Sequence, residues 1–454
     1  MIRIDFSRET GVIKALHGVD NAPVRPNGQQ KEFREAGIPF VRTHDTAGMW
    51  GGTHYVDIPN VFPDFNADEN DPASYDFTFT DAYLKPLVEA GAMPFYRLGV
   101  TIENYYKIKA YHIAPPEDFR KWAGICEHVV RHYTQGWADG FNWDVRYWEI
   151  WNEPENPPMW SGTREQFFEL YRVAATHLKQ CFPSIRVGGY GGCGFYAIDG
   201  SNTTDFYKSF VTWFEDFCVF VRENGIPLDF YSWHLYTTDP HQIITHADYV
   251  RGTLDRNGLR NTESIFNEWN YINWQDPNIW DTLKELPGAA FVASAFCLMQ
   301  KGPVDKAMYY DATPSRSYCG LFYSPSQRVT PCYHAFKAFN TLYRLGTEVE
   351  SESGEPEVFI CAAKDANGGK AFLLVNNKEN AVSADLCLNG AEPGEFTLYR
   401  LDPENRMLNP AGAWEGGTLT IPGKSVFLFR NSADGDSAVQ KSAPGGKFAG
   451  LDGN

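Results

Sequence analysis

Positive charge is scarce in this 454-residue sequence, which has 40 lysine and arginine residues against 57 aspartate and glutamate residues and a formal net charge of −17. Binding to nucleic-acid phosphates needs clustered cations, so we expect no nucleic-acid partner. An acidic polymer is a less favourable substrate for the same reason. The sequence also has no uncharged apolar run long enough to span a bilayer, so we expect no membrane partner.

A recognisable cysteine framework is missing as well. The nine cysteines form neither a CxxC pair nor a Cys/His zinc spacing, which is typical of free thiols in a reducing compartment. Residues Met1–Asp5 lack the basic and apolar segments of a signal peptide. We therefore expect a cytoplasmic protein, and a secreted protein trimmed of its signal is the alternative.

Phosphate-binding and metal-binding motifs are equally absent. No glycine-rich turn follows the first predicted strand. His128 and His132 share a helix face, but no third metal ligand accompanies them. We expect no cofactor and no metal site.

What the sequence does contain is an alternation of short apolar runs with longer amphipathic runs, which predicts parallel strands joined by right-handed helical crossovers. The predicted strands are Ala15–Val19, Ile38–Thr43, Ala92–Leu98, Val145–Trp151, Ile185–Gly189, Leu228–Leu235, Ser264–Asn267 and Ala307–Tyr310. Eight such units predict an α/β fold, a closed (β/α)8 TIM barrel over residues 1–345. A doubly wound open sheet is the alternative, disfavoured by the missing glycine-rich turn.

The pattern changes after Gly346. Short alternating runs separated by turn residues predict a C-terminal all-β sandwich over residues 346–431. Residues 1–10 are candidates for an added strand of this sheet. The last residues, 432–454, are rich in Gly, Ser, Ala and Asp, and we expect them to be disordered.

The first catalytic candidate is Glu153, at the end of the fourth barrel strand. Alternation along that strand places Glu149, Trp151 and Glu153 on one face, and Pro154 ends the strand. Catalysis in TIM barrels takes place at the carboxyl ends of the strands. A carboxyl group among tryptophans is poorly solvated, so we expect a raised pKa, which suits a proton donor.

The second candidate is Glu268, at the end of the seventh predicted strand, across the barrel mouth from Glu153. Two carboxyl groups placed there can flank a glycosidic bond. Retention of configuration needs a separation of about 5–5.5 Å, and inversion needs about 6.5–9.5 Å. Among the neighbouring acids, we expect Glu149 to pair with Arg or His inside the barrel and Glu155 to be solvated.

Several collinear segments resemble glycoside hydrolase family 39, the family of retaining β-D-xylosidases and α-L-iduronidases in clan A of the (β/α)8 enzymes. They are Val41–His44, Trp148–Pro154 with Met159–Thr163, Arg186–Gly189, Asp229–Tyr236, Phe266–Asn270 and Pro331–Phe336. The resemblance implies that Glu153 is the acid/base and Glu268 the nucleophile of a double displacement. It also implies that Asn152 bonds the sugar hydroxyl beside the anomeric carbon and that Tyr236 orients the nucleophile.

The remaining substrate-binding candidates are His44, His234, Trp269 and Tyr310. The resemblance implies that both histidines hydrogen-bond the glycone. The eighth strand departs from the family, because Tyr310 stands where a tryptophan is typical and no paired glutamates follow it. We therefore expect glycone recognition to differ from that of the family's xylosidases.

These features predict a retaining glycoside hydrolase that acts from the chain end on pentose-containing plant oligosaccharides or polysaccharide side chains, like a β-D-xylosidase. An α-L-arabinofuranosidase of the same family is the close alternative. An inverting hydrolase and a non-catalytic carbohydrate-binding barrel are further alternatives. The expected partner is a carbohydrate, and a homo-oligomer is possible.

Overall fold

The structure is a computed structural model that describes residues 1–22, 29–46, 54–101, 113–157 and 159–431. The predicted disordered segment, residues 432–454, lies outside this range. Within it, no helix combines the length and the apolar character needed to cross a bilayer.

A closed parallel barrel forms the larger part of the molecule, and it confirms the predicted fold. Each of the eight predicted strands is present, with shifted ends. The barrel strands, in order around the barrel, are β2 (Ala15–Asp20), β3 (Phe40–Thr43), β4 (Met93–Leu98), β5 (Tyr147–Ile150), β6 (Arg186–Gly192), β7 (Phe230–Thr237), β8 (Glu263–Tyr271) and β9 (Lys306–Tyr309).

Helices on the outside of the barrel join these strands, and several begin at residues whose side chains cap the first turn. Thr163 forms a capping box with Gln166 at the start of α5, and Asp118 caps α4. The helices are α1 (Gln30–Ala36), α2 (Ile58–Val61), α3 (Thr78–Glu89), α4 (Phe119–Gln135), α5 (Arg164–Cys181), α6 (Asp205–Asn224), α7 (Pro240–Arg256), α8 (Ile279–Thr282), α9 (Leu286–Lys301) and α10 (Pro331–Leu345).

The second part is a nine-stranded sheet of mostly antiparallel strands. It contains β1 (Ile2–Val12), β10 (Thr347–Ser353), β11 (Val358–Lys364), β12 (Lys370–Asn376), β13 (Val382–Asn389), β14 (Phe396–Asp402), β15 (Asn405–Ala413), β16 (Thr418–Ile421) and β17 (Ser425–Asn431). Phe6 of β1 stacks on Phe396 of β14 at 5.9 Å although these strands are far apart in the sheet order. The sheet therefore curls and packs on itself, as a sandwich does.

The amino-terminal strand belongs to this sheet, since β1 pairs antiparallel with β10 and parallel with β13. The strands β10 and β15 were not predicted from the sequence. The change of pattern at Gly346 falls between the end of α10 and the start of β10. The division into two folding units at this point stays a prediction.

The barrel interior has an apolar floor made by Phe95, Tyr147, Phe230, Ile265 and Met308. Buried charged side chains lie above this floor, toward the carboxyl ends of the strands. The side chains of the floor fill this end of the barrel. Any chemistry must therefore take place at the open carboxyl end, where β5 and β8 end.

Candidate active site

Glu153 reaches the barrel mouth because the backbone leaves the strand period after β5. Trp151 and Glu153 both have positive φ angles, 73° and 44°. Trp151 consequently points away from the mouth and packs on Trp122 and Trp160, at ring distances of 6.2 and 5.0 Å. The expectation that Glu149, Trp151 and Glu153 share one face is therefore wrong for Trp151.

Glu268 reaches the mouth through a β-bulge in β8. Trp233 of β7 pairs with Phe266, and the next residue, His234, pairs with Glu268, so that Asn267 is the extra residue. Asn267 donates a hydrogen bond to the buried Glu149 at 2.6 Å. The bulge thus lets two consecutive side chains of β8 make contacts inside the barrel.

The same bulge places Trp269 on the outer face of the strand. Its ring is fully buried and contacts Phe291 and Phe296 of α9, at 6.3 and 5.8 Å. The prediction that Trp269 binds substrate is therefore wrong. The physical reason is strand alternation, which turns Trp269 outward once Glu268 points inward.

The two candidate acids meet at the mouth. An oxygen of Glu153, a ring nitrogen of His234 and an oxygen of Glu268 all lie within 4.8 Å of one another. Nδ1 of His234 is 2.8 Å from Glu153 and 3.6 Å from Glu268. Tyr236 donates a 2.6 Å hydrogen bond to Oε1 of Glu268, which is the contact that the family resemblance implies. This spacing suits the short separation of a retaining glycosidase rather than the longer one of an inverting enzyme.

The fully buried Arg42 organises the base of the site. Its guanidinium donates to Glu149 at 2.7 Å, to Glu268 at 3.0 Å and to Asn152 at 2.5 Å, and it lies 3.3 Å from Asp20. The expectation that Glu149 pairs with an arginine is confirmed. Three carboxyl groups share one cation here, and burial raises the pKa of Asp20 well above its usual range although Arg42 opposes this. Arg42 thereby fixes one oxygen of the candidate nucleophile.

Asn152 lies beside the two acids at the barrel mouth. Its Oδ1 accepts a hydrogen bond from Arg42, and its Nδ2 donates to the weak acceptor Sδ of Met159 at 3.9 Å. Gly191 packs against this group with a φ of 62°. A Cβ at Gly191 would lie 3.1 Å from Arg42, Asn152 and His234. Both the backbone angle and the space therefore require glycine at this position.

The proton equilibrium of Glu153 differs from the sequence-based expectation. Burial raises the pKa of Glu153, but the hydrogen bond and charge of His234 and the amide of Asn156 lower it, and the net pKa is lowered. The expected raised pKa is therefore wrong. The reason is that Trp151 is on the other side of the backbone and His234 is the actual neighbour.

Glu155 is also not where the sequence suggested. It is buried, and its Oε1 accepts a 2.6 Å hydrogen bond from the backbone N–H of Cys193. Among the described residues, Oε2 has no hydrogen-bond partner. Burial raises the pKa of Glu155 to about 8, with a smaller contribution from the charge of Glu153. The expectation that Glu155 is solvated is wrong, and a protonated carboxyl lies beside the acid/base candidate.

His44 and Tyr310 line the other side of the mouth, with ring centres 6.5 Å apart. Burial, followed by the charge of Arg42, lowers the pKa of His44 well below its usual range, so its imidazole is neutral. Its Nδ1 has no hydrogen-bond partner in the described parts of the chain. Tyr310 donates its hydroxyl hydrogen bond to Asp45 and faces Tyr236 edge-on at 6.4 Å. Sequence reasoning missed Asp45, which follows directly after the Val41–His44 segment.

Two groups of side chains in the described ranges have the spacing of metal ligands. One is the catalytic group itself, Glu153, His234 and Glu268. The other lies between α4 and α5 and consists of Glu127, His177 and Cys181. His128 hydrogen-bonds the carbonyl of Gly124. His132 hydrogen-bonds the carbonyl of Trp137 and the carboxylate of Asp81. The expectation of no metal site stays a prediction.

A (β/α)8 barrel with two carboxyl groups close together at the carboxyl ends of its fourth and seventh strands is the architecture of a glycoside hydrolase. The family model for glycosyl hydrolases family 39 matches residues 30–249. This match, together with the site, identifies the chain as a glycosidase that is similar to glycosyl hydrolase family 39 and has a carbohydrate substrate.

Similar proteins include two curated beta-xylosidases. The one from Caldicellulosiruptor saccharolyticus is 26% identical over 383 residues, which is 75% of this chain and 72% of that protein. The one from Geobacillus stearothermophilus is 32% identical over 180 residues, which is 37% of this chain and 32% of that protein.

Solved structures show the same fold. A glucosidase from Croceicoccus marinus aligns with a TM-score of 0.76 at 22% identity, covering 94% of this chain and 98% of that chain. A monomeric beta-xylosidase from Caulobacter crescentus aligns with a TM-score of 0.68 at 17% identity, also covering 94% of this chain and 98% of that chain.

Proposed function

We propose that this glycosidase releases terminal β-D-xylose from plant oligosaccharides or polysaccharide side chains by double displacement with retention. The observation that carries the proposal is the meeting of the Glu153 and Glu268 oxygens within 4.8 Å at one barrel mouth. The two beta-xylosidases that the chain resembles support the choice of glycone.

In the first step, Glu268 attacks the anomeric carbon while Glu153 donates a proton to the leaving oxygen. Tyr236 and Arg42 each hold one oxygen of Glu268, at 2.6 and 3.0 Å, and so aim the nucleophile. Asn152 offers its amide to the adjacent sugar hydroxyl. In the second step, Glu153 takes a proton from water while the water oxygen attacks the anomeric carbon. The bond from that carbon to Glu268 breaks, and the sugar leaves.

His234 has a second role in this proposal, besides the glycone hydrogen bond that the family resemblance implies. It holds Glu153 through Nδ1, and its Nε2 has no hydrogen-bond partner among the described residues. That second nitrogen is the atom left for a glycone hydroxyl. His234 then couples sugar binding to the protonation of the acid/base.

An α-L-arabinofuranosidase is the second candidate, and one observation favours it. Tyr310 with its partner Asp45 stands where the family's xylosidases carry a tryptophan and paired glutamates, so the glycone side of the pocket has different groups. An alpha-L-arabinofuranosidase from Thermotoga maritima aligns at 14% identity with a TM-score of 0.64, which supports the shared fold alone.

The test is hydrolysis of matched nitrophenyl glycosides, β-D-xylopyranoside against α-L-arabinofuranoside, with β-D-glucopyranoside as the third arm. We expect the highest kcat/KM on the xyloside. A higher value on the arabinofuranoside would replace the glycone assignment. No turnover on any glycoside would support a non-catalytic carbohydrate-binding barrel, for which Glu268→Ala would change nothing.

The stereochemistry is tested separately, by proton NMR of the first sugar released. A β-anomer from the xyloside is the expected product of retention, and an α-anomer would indicate inversion. The matched variants are Glu153→Ala and Glu268→Ala, each of which should abolish most of the activity on an oligosaccharide.

The cytoplasmic location and the homo-oligomer stay proposals. All nine cysteines are free thiols in the structure, which supports a reducing compartment. Cell fractionation tests the location, and light scattering coupled to size-exclusion chromatography tests the assembly. A similar beta-xylosidase from Caulobacter crescentus is described as monomeric, so a single-chain mass is the competing result.

A further inference from the structure

The segment that joins β8 to α9 carries a tryptophan that the fold does not bury. Trp274 is 66% exposed, the largest exposed fraction among the aromatic side chains of the described residues. An exposed aromatic ring of this size loses the free energy that burial would provide. A single exposed ring is ordinary, but a contiguous row of exposed rings marks a surface that binds a partner or ligand.

Trp274 is the outer end of a row of rings that leads to the catalytic mouth. It lies 6.1 Å from Trp280, Trp280 lies 4.6 Å from Tyr318, and Tyr318 lies 6.1 Å from Tyr236. Tyr236 in turn donates the hydrogen bond to the nucleophile Glu268. We name Trp274, Trp280 and Tyr318 the aromatic platform.

The aromatic platform is held in place by a small core of its own. Ile272, Ile279 and Leu283 form this core, and Tyr236, Trp280 and Tyr318 pack against it. This core fixes Trp280 and Tyr318 beside the catalytic mouth, and Trp274 extends the row outward from Trp280.

A buried lysine ties the two segments of the platform together. Lys284 is 3% exposed and donates to the carbonyl groups of Trp280 and Arg316, at 2.6 and 2.7 Å. Arg316 lies two residues before Tyr318. The lysine thus fixes the segment that bears Trp280 to the segment that bears Tyr318, and binding needs no ordering of either.

The surroundings of Trp274 are polar and carry amides. Asn273, Gln275 and Asn278 are exposed beside it. Flat aromatic faces with neighbouring amide groups suit a carbohydrate chain, because sugar rings have apolar faces and hydroxyl edges. Stacking on aromatic rings contributes affinity, and the amides can exchange hydrogen bonds with hydroxyls.

We propose that the aromatic platform binds the leaving-group units of a xylo-oligosaccharide, those beyond the sugar that the enzyme cleaves. This inference rests on the proposed exo action, in which a single terminal sugar occupies the glycone side and every further unit lies on the leaving-group side. The enzyme then prefers oligosaccharides to short glycosides.

The test compares Trp274→Ala with Phe206→Ala, a matched loss of an exposed ring (47% exposed) on α6. Each is assayed on nitrophenyl β-xyloside, xylobiose and xylotetraose. In the unmodified enzyme kcat/KM should rise with chain length. Trp274→Ala should lower kcat/KM on xylotetraose by about 3- to 10-fold, as expected for one stacked ring, and should leave the nitrophenyl value unchanged. Phe206→Ala should change neither.

Two results would overturn the platform. One is an identical chain-length dependence in Trp274→Ala, Phe206→Ala and the unmodified enzyme. The other is an equal loss on the nitrophenyl xyloside, which would mean that Trp274 acts on the catalytic centre rather than on distant sugar units.

Failure of the proposed function has a separate signature, since it appears as absent turnover of nitrophenyl xyloside by the unmodified enzyme. In that case the platform is judged by binding. Xylotetraose is titrated into the Glu268→Gln variant while tryptophan fluorescence is followed. A spectral change that disappears with Trp274→Ala supports the platform, and the absence of any change contradicts it.

Discussion

Replacing Glu155 with glutamine tests the finding that a protonated carboxyl is buried beside the acid/base candidate. Burial raises the pKa of Glu155 from its ordinary value of 4.5 to about 8. Below pH 4.5 the carboxyl keeps its proton in both the folded and the unfolded chain. Between the two pKa values only the unfolded chain releases the proton, so the free energy of unfolding falls as the pH rises. The loss is complete above the folded pKa.

The size of this effect follows from the difference between the unfolded and folded pKa values of Glu155. A shift from 4.5 to about 8 corresponds to about 5 kcal/mol in total, of which about 3–4 kcal/mol is lost between pH 5 and pH 8. Glutamine has the shape of the protonated carboxyl and its oxygen can still accept from the Cys193 N–H. Because glutamine cannot ionise, Glu155→Gln should not show this loss.

The assay is urea unfolding followed by tryptophan fluorescence from pH 5 to pH 8. The free energy of unfolding of Glu155→Gln minus that of the unmodified protein should increase by about 3–4 kcal/mol from pH 5 to pH 8. Glu165→Gln is the matched control, because Glu165 is exposed on α5. It should run parallel to the unmodified protein. Parallel curves for Glu155→Gln as well would mean that Glu155 is ionised in the folded protein, and the reasoning would be refuted.

Three further predictions concern the catalytic mouth. Glu153→Ala should lower kcat on xylobiose by about 10²- to 10⁴-fold, as expected when a general acid is removed; the loss on a nitrophenyl glycoside, whose leaving group needs little protonation, should be smaller, and equal losses would exclude an acid role. His234→Phe removes the neighbour that lowers the pKa of Glu153, so the alkaline limb of the kcat/KM profile should move to higher pH; an unchanged limb would show that another group controls it. Gly191→Ala, with a Cβ 3.1 Å from three site atoms, should lower kcat/KM about 10- to 100-fold with little change in circular dichroism, and normal activity would contradict the close packing.

Much of the fold could be predicted because its signal is periodic. The alternation of apolar strands and amphipathic helices gave all eight barrel strands, and the loss of that alternation after Gly346 gave the β domain. The acids Glu153 and Glu268 were found because each follows a predicted strand, and parallel strands bring their carboxyl ends to the same edge.

The errors fall where the backbone leaves a regular period. Trp151 was placed on the catalytic face by counting along a strand, and Trp269 was named as a substrate-binding candidate next to Glu268. Positive φ angles after β5 and the bulge at Asn267 in β8 change that count, and neither has a signature in the local sequence. The expectation of a raised pKa for Glu153 was wrong for the same reason, because it assumed that Trp151 lies beside Glu153.

Several contacts between distant segments could not be predicted from the sequence. Glu155 is buried because the backbone N–H of Cys193, on another strand end, lies 2.6 Å from it. Arg42 holds Glu149, Asn152 and Glu268 together only after β3, β5 and β8 have closed into one barrel. The visible signal for Arg42 was a charged residue inside an apolar strand, which needs a buried partner.

The most direct measurement of the central claim is identification of the residue that becomes covalently attached to the sugar. The enzyme is incubated with the 2-fluoro derivative of its best nitrophenyl glycoside, digested and analysed by peptide mass spectrometry. The account predicts one added glycosyl group on Glu268, and no adduct in Glu268→Gln. An adduct on any other residue, or inverted product without an adduct, would contradict it.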